Sequence, residues 1–189
     1  LVGFYFGHRE TEDIDLFSPP GIDLEDAARS LDAAASASGA TVRALQVYPT
    51  FRRSIAERPG ETCVVDLVID RAPMVEPTKT MFGDIRVDTL REIAANKICT
   101  LLGRSEIKDL VDLHVLIGAG NDLELALADA ETKDAGADPA TLAWLLSELT
   151  IGTEAILPGG VDPAKLIEFR DALIPKLRAI AFRRVRRDP

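Results

Sequence analysis

The stretch Gly7-His8-Arg9-Glu10-Thr11-Glu12-Asp13-Ile14-Asp15-Leu16-Phe17 decides how this sequence is read. Asp13 and Asp15 flank Ile14, and Leu16 and Phe17 continue an apolar run. As a strand, with a side-chain period of two, the segment sets both carboxylates on one face and turns Ile14 and Leu16 to the other. Two like charges side by side are costly unless a cation lies between them. A hard divalent ion with oxygen ligands, such as magnesium, suits the position. The same Asp-x-Asp pattern also occurs on solvated strand edges, so both readings stand at this point.

Before this stretch, Leu1, Val2, Phe4, Tyr5 and Phe6 read as the end of a helix closed near Gly7. The chain opens inside that apolar run without a Met, and residues upstream of Leu1 are expected to be missing. After it, Pro19-Pro20-Gly21 stops the strand. Asp23 is placed to cap an Ala-rich helix to about Ser38, with Gly39 as its stop signal. Residues 42–48 and 51–55 read as two strands, or as one long strand bent at Pro49, and Glu57-Arg58-Pro59-Gly60 as a turn.

The clearest strand runs from Thr62 to Asp70. Cys63, Val65, Leu67 and Ile69 alternate there with Thr62, Val64, Asp66 and Val68. Asp66 is thus a carboxylate among apolar neighbours. If buried, it needs a partner or a metal; on an edge open to water it needs neither. A proline-containing loop over 71–83 and a short strand over 84–87 follow.

From Thr89 the pattern becomes helical. Residues 89–103 put Leu90, Ile93, Ala94, Lys97 and Leu101 on one stripe, with Gly103 at its end. Lys97 interrupts that face, either as a snorkelling stem or as a cation aimed into a site. In the next helix, near 106–117, Asp109 and Asp112 share a face and Lys108 is within reach of Asp112, as a surface ion pair would be. His114, among Leu113, Val115 and Leu116, reads as a core or boundary residue. Further helices are expected over 121–133, 138–149 and 162–187, two of them opened by Asp138-Pro139 and Asp162-Pro163. Pro175 is expected to kink or split the last. Arg183, Arg184, Arg186 and Arg187 cluster at its end, able to grip phosphates or to remain a solvated face.

The 189 residues suffice for one well-cored domain or two small ones. No apolar run approaches a membrane span and no signal peptide is visible. Cys63 and Cys99 match no metal spacing and no disulfide framework, so reduced thiols in a cytoplasmic protein are expected. A formal net charge of -9 argues against nonspecific attraction to nucleic acid, so a polyanion would need a local basic patch.

Together these segments resemble a known family. Gly7-His8-Arg9, three residues, then Asp13-Ile14-Asp15-Leu16-Phe17 is similar to the signature of the AbiEii/AbiGii-type nucleotidyltransferase toxins, of the DNA polymerase β-like nucleotidyltransferase superfamily. Leu90 to Arg104 followed by Lys108-Asp109-Leu110-Val111-Asp112-Leu113 looks like that family's lysine helix, its Arg and its Lys/Arg-Asp-x-x-Asp-Leu helix. The likeness covers residue 1 to roughly 118 and is weak in the helical tail.

The resemblance implies metal-dependent transfer of a nucleoside monophosphate from an NTP, with loss of pyrophosphate. It further implies an RNA acceptor such as the 3′ end of tRNA, and the role of toxin, with a cognate antitoxin, in a toxin-antitoxin or abortive-infection system. It would make Asp13, Asp15 and Asp66 the magnesium ligands, with Asp66 also helping to deprotonate the acceptor. Lys97 would neutralise triphosphate charge, Asp112 would orient it or close the site, and Arg9, Lys108 and Asp109 would contact substrate. In-line transfer between two oxygens suits cations held by carboxylates, with a lysine opposite.

The family's Gly-Gly-Thr or Gly-Ser step, which would lie just before Leu1, is not in this sequence. The expected fold is α+β: residues 1–88 as a nucleotidyltransferase core with a small mixed sheet and helices on one face, and 89–189 as a helical region carrying Lys97 and Asp112. Two rivals are a catalytically degenerate relative that binds a nucleotide or partner without chemistry, and an interaction protein working through its helical tail.

Overall fold

The computed structural model describes residues 2–8 and 13–186, and of Val185 its backbone only. In chain order the elements are α1 (Val2–Phe6), β1 (Asp13–Ser18), α2 (Leu24–Ala37), β2 (Thr41–Tyr48), β3 (Phe51–Arg58), β4 (Glu61–Ile69), β5 (Thr80–Phe82), β6 (Ile85–Val87), α3 (Leu90–Arg104), α4 (Ile107–Gly118), α5 (Leu123–Lys133), α6 (Pro139–Glu148) and α7 (Pro163–Val185). The chain divides into two compact units, Thr11–Ala72 and Leu1–Glu10 with Pro73–Pro189. The segment after Pro73 is tied to the helices through Glu92 of α3.

The first unit is a four-stranded mixed sheet in the order β1-β4-β3-β2, with β1 parallel to β4 and the other pairs antiparallel. Parallel pairing of β1 with β4 requires a crossover, which α2, β2 and β3 supply. The Asp23 carboxylate caps α2 by accepting the Glu25 N–H (2.9 Å). Gly39, at φ +76°, provides the left-handed residue that closes the helix. Leu24 and Ala28 of α2 pack on Val65, Leu67 and Ile69 of β4, so α2 covers one face of the sheet.

Residues 41–58 form two antiparallel strands rather than one bent strand, because Pro49 sits in the turn between Tyr48 and Phe51. Pro59-Gly60, with Gly60 at φ +81°, turns β3 into β4. β5 and β6 form a separate antiparallel hairpin; only the second was expected from the sequence.

In the second unit, Ile93, Ile98, Leu101, Leu110, Leu113 and Leu116 are fully buried against residues of α5, α6 and α7. Thr89, Asp122, Asp138 and Asp162 each accept a first-turn N–H of the helix they precede. Ser105 adopts a left-handed φ of 49° after α3, and its hydroxyl donates to the Leu101 carbonyl (2.9 Å). The segment after Pro73 is anchored from α3: Glu92 accepts the N–H groups of Val75 (2.7 Å) and Glu76 (3.0 Å) and pairs with Lys133. Tyr5 of α1 stands edge-on to Phe82 and donates to the Asp88 carbonyl (2.7 Å).

Of the kink or split expected at Pro175, the split does not occur, since α7 runs unbroken from Pro163 to Val185. Pro175 has no N–H for the helical ladder, but Leu173 and Leu177 on either side are buried and hold the helix across the lost bond. Among the described residues no helix is long and apolar enough to cross a membrane.

Candidate functional site

In the sheet unit the register decides where the carboxylates lie. Asp15 is opposite Asp66 across the parallel β1–β4 pair, and Asp13 is opposite Val64. Cross-strand neighbours share a face and residues two apart on a strand do so too. Asp13, Asp15 and Asp66 therefore share the face of the sheet away from α2. Asp66 is only 4% exposed.

Arg53, opposite Asp66 on β3, grips its carboxylate with two hydrogen bonds, Nε to Oδ1 at 2.9 Å and Nη2 to Oδ2 at 2.6 Å. The guanidinium is held more firmly protonated than usual, chiefly by this bond and by the charge of Asp66, and further by the fields of Asp13 and Asp15. All three carboxylates thus contribute negative potential on one side of the sheet.

The helical unit holds a second charged cluster, described by itself. Lys97 of α3 places Nζ 2.8 Å from Asp109 Oδ1 and 2.7 Å from Asp112 Oδ2, both on α4. Arg104 Nε donates to Asp109 Oδ2 at 2.9 Å. His8 Nε2 lies 2.9 Å from Asp112 Oδ1. Asp109 and Asp112 are both 0% exposed, which corrects the surface-pair reading. They are on one face of α4 as their spacing required, but that face is buried against α3. Lys108, expected within reach of Asp112, instead lies 3.1 Å from Glu106. Arg9 lies outside the described residues.

Burial alone would push the Asp109 carboxyl up, but hydrogen bonds from Arg104 and Lys97 outweigh it and hold Asp109 below the ordinary carboxylate range. Glu92 behaves alike: burial opposes, while Lys133 and the N–H groups of Glu76 and Val75 win. A carboxylate depressed on folding adds stability that is full above its unfolded pKa, near 4, and is lost as pH falls through the folded value. Melting followed by circular dichroism should therefore show no loss from these two groups above about pH 5 and a falling midpoint below about pH 4. Glu92→Gln should flatten part of that fall; an unchanged slope would remove Glu92 from the account.

With both clusters in view, the comparison with known proteins is informative. The profile of the family described as "Nucleotidyl transferase AbiEii toxin, Type IV TA system" matches residues 1–188. The chain belongs to the AbiEii family. Membership makes it a nucleotidyltransferase-family toxin of a toxin-antitoxin system, with a cognate antitoxin as partner. The AbiEii match also takes in the helical tail, where the motifs in the sequence were weak. No curated protein gives a significant match.

Two residues of this AbiEii protein stand out that the sequence did not single out. Arg53 was findable, because a two-residue turn at Pro59-Gly60 fixes a hairpin register that puts it beside Asp66. His8 was quoted as part of the motif, but nothing local shows that it reaches Asp112. His114 is at the core boundary, edge-on to Phe169 with ring centroids 4.7 Å apart; burial, with a smaller effect of Lys165, lowers its pKa. Of the terminal arginines, Arg183 pairs with Glu124 (2.6 Å), Arg184 with Glu131, and Arg186 lies over the Phe182 ring.

Among the described residues no three His, Cys, Asp or Glu side chains are gathered as a ready chelate. The chemistry of the sheet face nevertheless fits magnesium: its donors are hard carboxylate oxygens, and their joint field already draws a cation, Arg53, onto Asp66.

Proposed function

We propose that this AbiEii protein transfers a nucleoside monophosphate from an NTP to an acceptor hydroxyl in a magnesium-dependent reaction, the acceptor being RNA such as the 3′ end of tRNA. The observation that carries the reading is the strand register that sets Asp13, Asp15 and Asp66 on one face. Those three residues would hold the ion. Bound there, it would supply charge stabilisation for the entering and leaving oxygens of an in-line displacement.

The remaining roles fall to the chain's own groups. Asp66 takes the proton of the attacking hydroxyl once Arg53 shifts away from its oxygens. Lys97 neutralises triphosphate charge. Among the described residues two of its three N–H donors go to Asp109 and Asp112, and the third would serve a phosphate oxygen. Asp112, fixed by His8, orients that ammonium. Arg9 and Lys108 complete the substrate contacts, Asp109 holds Lys97 in place from beneath, and the reaction takes place in the cytoplasm.

The test is transfer of label from an α-labelled NTP to tRNA in magnesium. Transfer is expected with ion present and absent with EDTA; transfer undiminished by EDTA or by Asp13→Ala would reject the assignment. A readout free of catalysis accompanies it. Magnesium should raise the melting temperature of the wild-type protein, as any ligand of the native state does, and Asp13→Asn should remove that rise. One observation favours a second reading, a nucleotide-binding module without chemistry: Arg53 occupies both oxygens of Asp66. Calorimetry showing NTP binding without pyrophosphate release would select it.

A further inference from the structure

The face that carries the carboxylates also carries rings. One rung beyond Asp15 and Asp66, the register runs Phe17 opposite Val68, Val68 opposite Phe51, and Phe51 opposite Tyr48, from one edge of the sheet to the other. Phe17 is 52% exposed and Tyr48 59% exposed, large apolar areas that the fold leaves uncovered. The Tyr48 and Phe51 rings lie 6.4 Å apart at 31°, and Arg53 sits over Phe51 at 5.6 Å. On β2, the same face continues from Tyr48 through Gln46 to Arg43. Arg43 is exposed and has no ion-pair partner among the described residues.

We propose that this row is a stacking platform for the unpaired 3′-terminal bases of a single-stranded RNA acceptor. The inference rests on the nucleotidyltransferase reading and names the substrate class of that same face.

Three dimensions support the choice of occupant. The row spans three inter-strand spacings, on the order of 14 Å, longer than one nucleobase and matched to two or three. Two residues along a strand advance about 7 Å, so bases on the rings would set the terminal sugar at the Asp15–Asp66 rung. The cation lies on the β2 side and the carboxylates on the β1 side. Of the RNA's own groups, the phosphates are therefore drawn to Arg43, and the uncharged terminal hydroxyl is the part that fits beside the acids. Aromatic stacking on a sheet is a general means of holding unpaired bases without reading their sequence.

The experiment uses the full chain and a seven-nucleotide single-stranded RNA ending in a 3′ hydroxyl, with 2-aminopurine as its last base. Wild type should bind it with quenching of the probe. Tyr48→Ala and Phe17→Leu should each weaken binding about fivefold or more, while Tyr48→Trp and Phe17→Trp retain it. Both positions are exposed, so melting temperatures should stay near wild type, and the Trp variants report on stacking even if an Ala variant is damaged. Affinity unchanged in Tyr48→Ala and Phe17→Leu overturns the proposal. So does a loss of affinity for ATP with none for the RNA, which would make the row a mononucleotide site. If these variants lose the RNA but wild type transfers nothing from any NTP, the platform stands and the catalytic reading falls. If wild type transfers and the acceptor KM is the same in all variants, the reverse holds.

Discussion

Asp66→Asn is expected to lower nucleotidyl transfer by roughly 10³-fold or more, the scale set by removing a group aimed at developing charge. Asp66 is buried, and its two oxygens are held by Arg53. Asn keeps the shape of the side chain and one acceptor oxygen, but it neither takes up a proton nor binds a cation strongly. The fold should tolerate the change, because the Arg53 side chain is 43% exposed and its charge reaches water once released. Single-turnover rates with α-labelled NTP, beside melting curves of the same preparations, separate the two effects. A variant that melts like wild type and still transfers at more than a tenth of its rate would remove Asp66 from the chemistry.

The second large effect is on stability. Asp109→Ala is expected to cost about 3–5 kcal/mol, the range for breaking a buried ion pair and stranding its partner. Asp109 is wholly buried between Lys97 and Arg104. Arg104 is 46% exposed and can turn to solvent, so the penalty falls mainly on Lys97, whose remaining acidic partner among the described residues is Asp112. Urea denaturation should show a lower midpoint at an unchanged slope. Replacing all three members together, Lys97→Met with Asp109→Leu and Asp112→Leu, should recover much of the loss, because apolar groups of similar size need no partners and no buried carboxylate is stranded. If Lys97 serves the triphosphate, that recovered fold remains inactive. A stable and active triple variant would show the cluster to be structural only.

Much of this arrangement was legible from local pattern. The alternation over residues 62–70 put Asp66 on the face opposite Val65 and Leu67, and the caps at Asp23, Asp138 and Asp162 marked three helix starts. The family match through residue 188 agrees with motifs read from two short segments. What local pattern does not carry is pairing over long separations. That Asp15 stands opposite Asp66 follows from parallel register, which no single strand encodes. The partners of Asp112 illustrate the same point. Helical spacing offered Lys108, four residues away, whereas the fold brings Lys97 from the preceding helix and His8 from near the start of the chain.

The parallel pairing of β1 with β4 also has a kinetic side. Among the described residues β1 hydrogen-bonds to no other strand, and α2, β2 and β3 lie between the two partners in the chain. The hairpins joining β2, β3 and β4 close over a few residues, whereas the β1 ladder must close a much longer loop and pay its entropy first. Loop entropy thus predicts that the acidic face assembles after the antiparallel part has zipped. Until that strand docks, Asp15 has no Asp66 opposite it, and a chain whose antiparallel hairpins are already complete still lacks the proposed ion site.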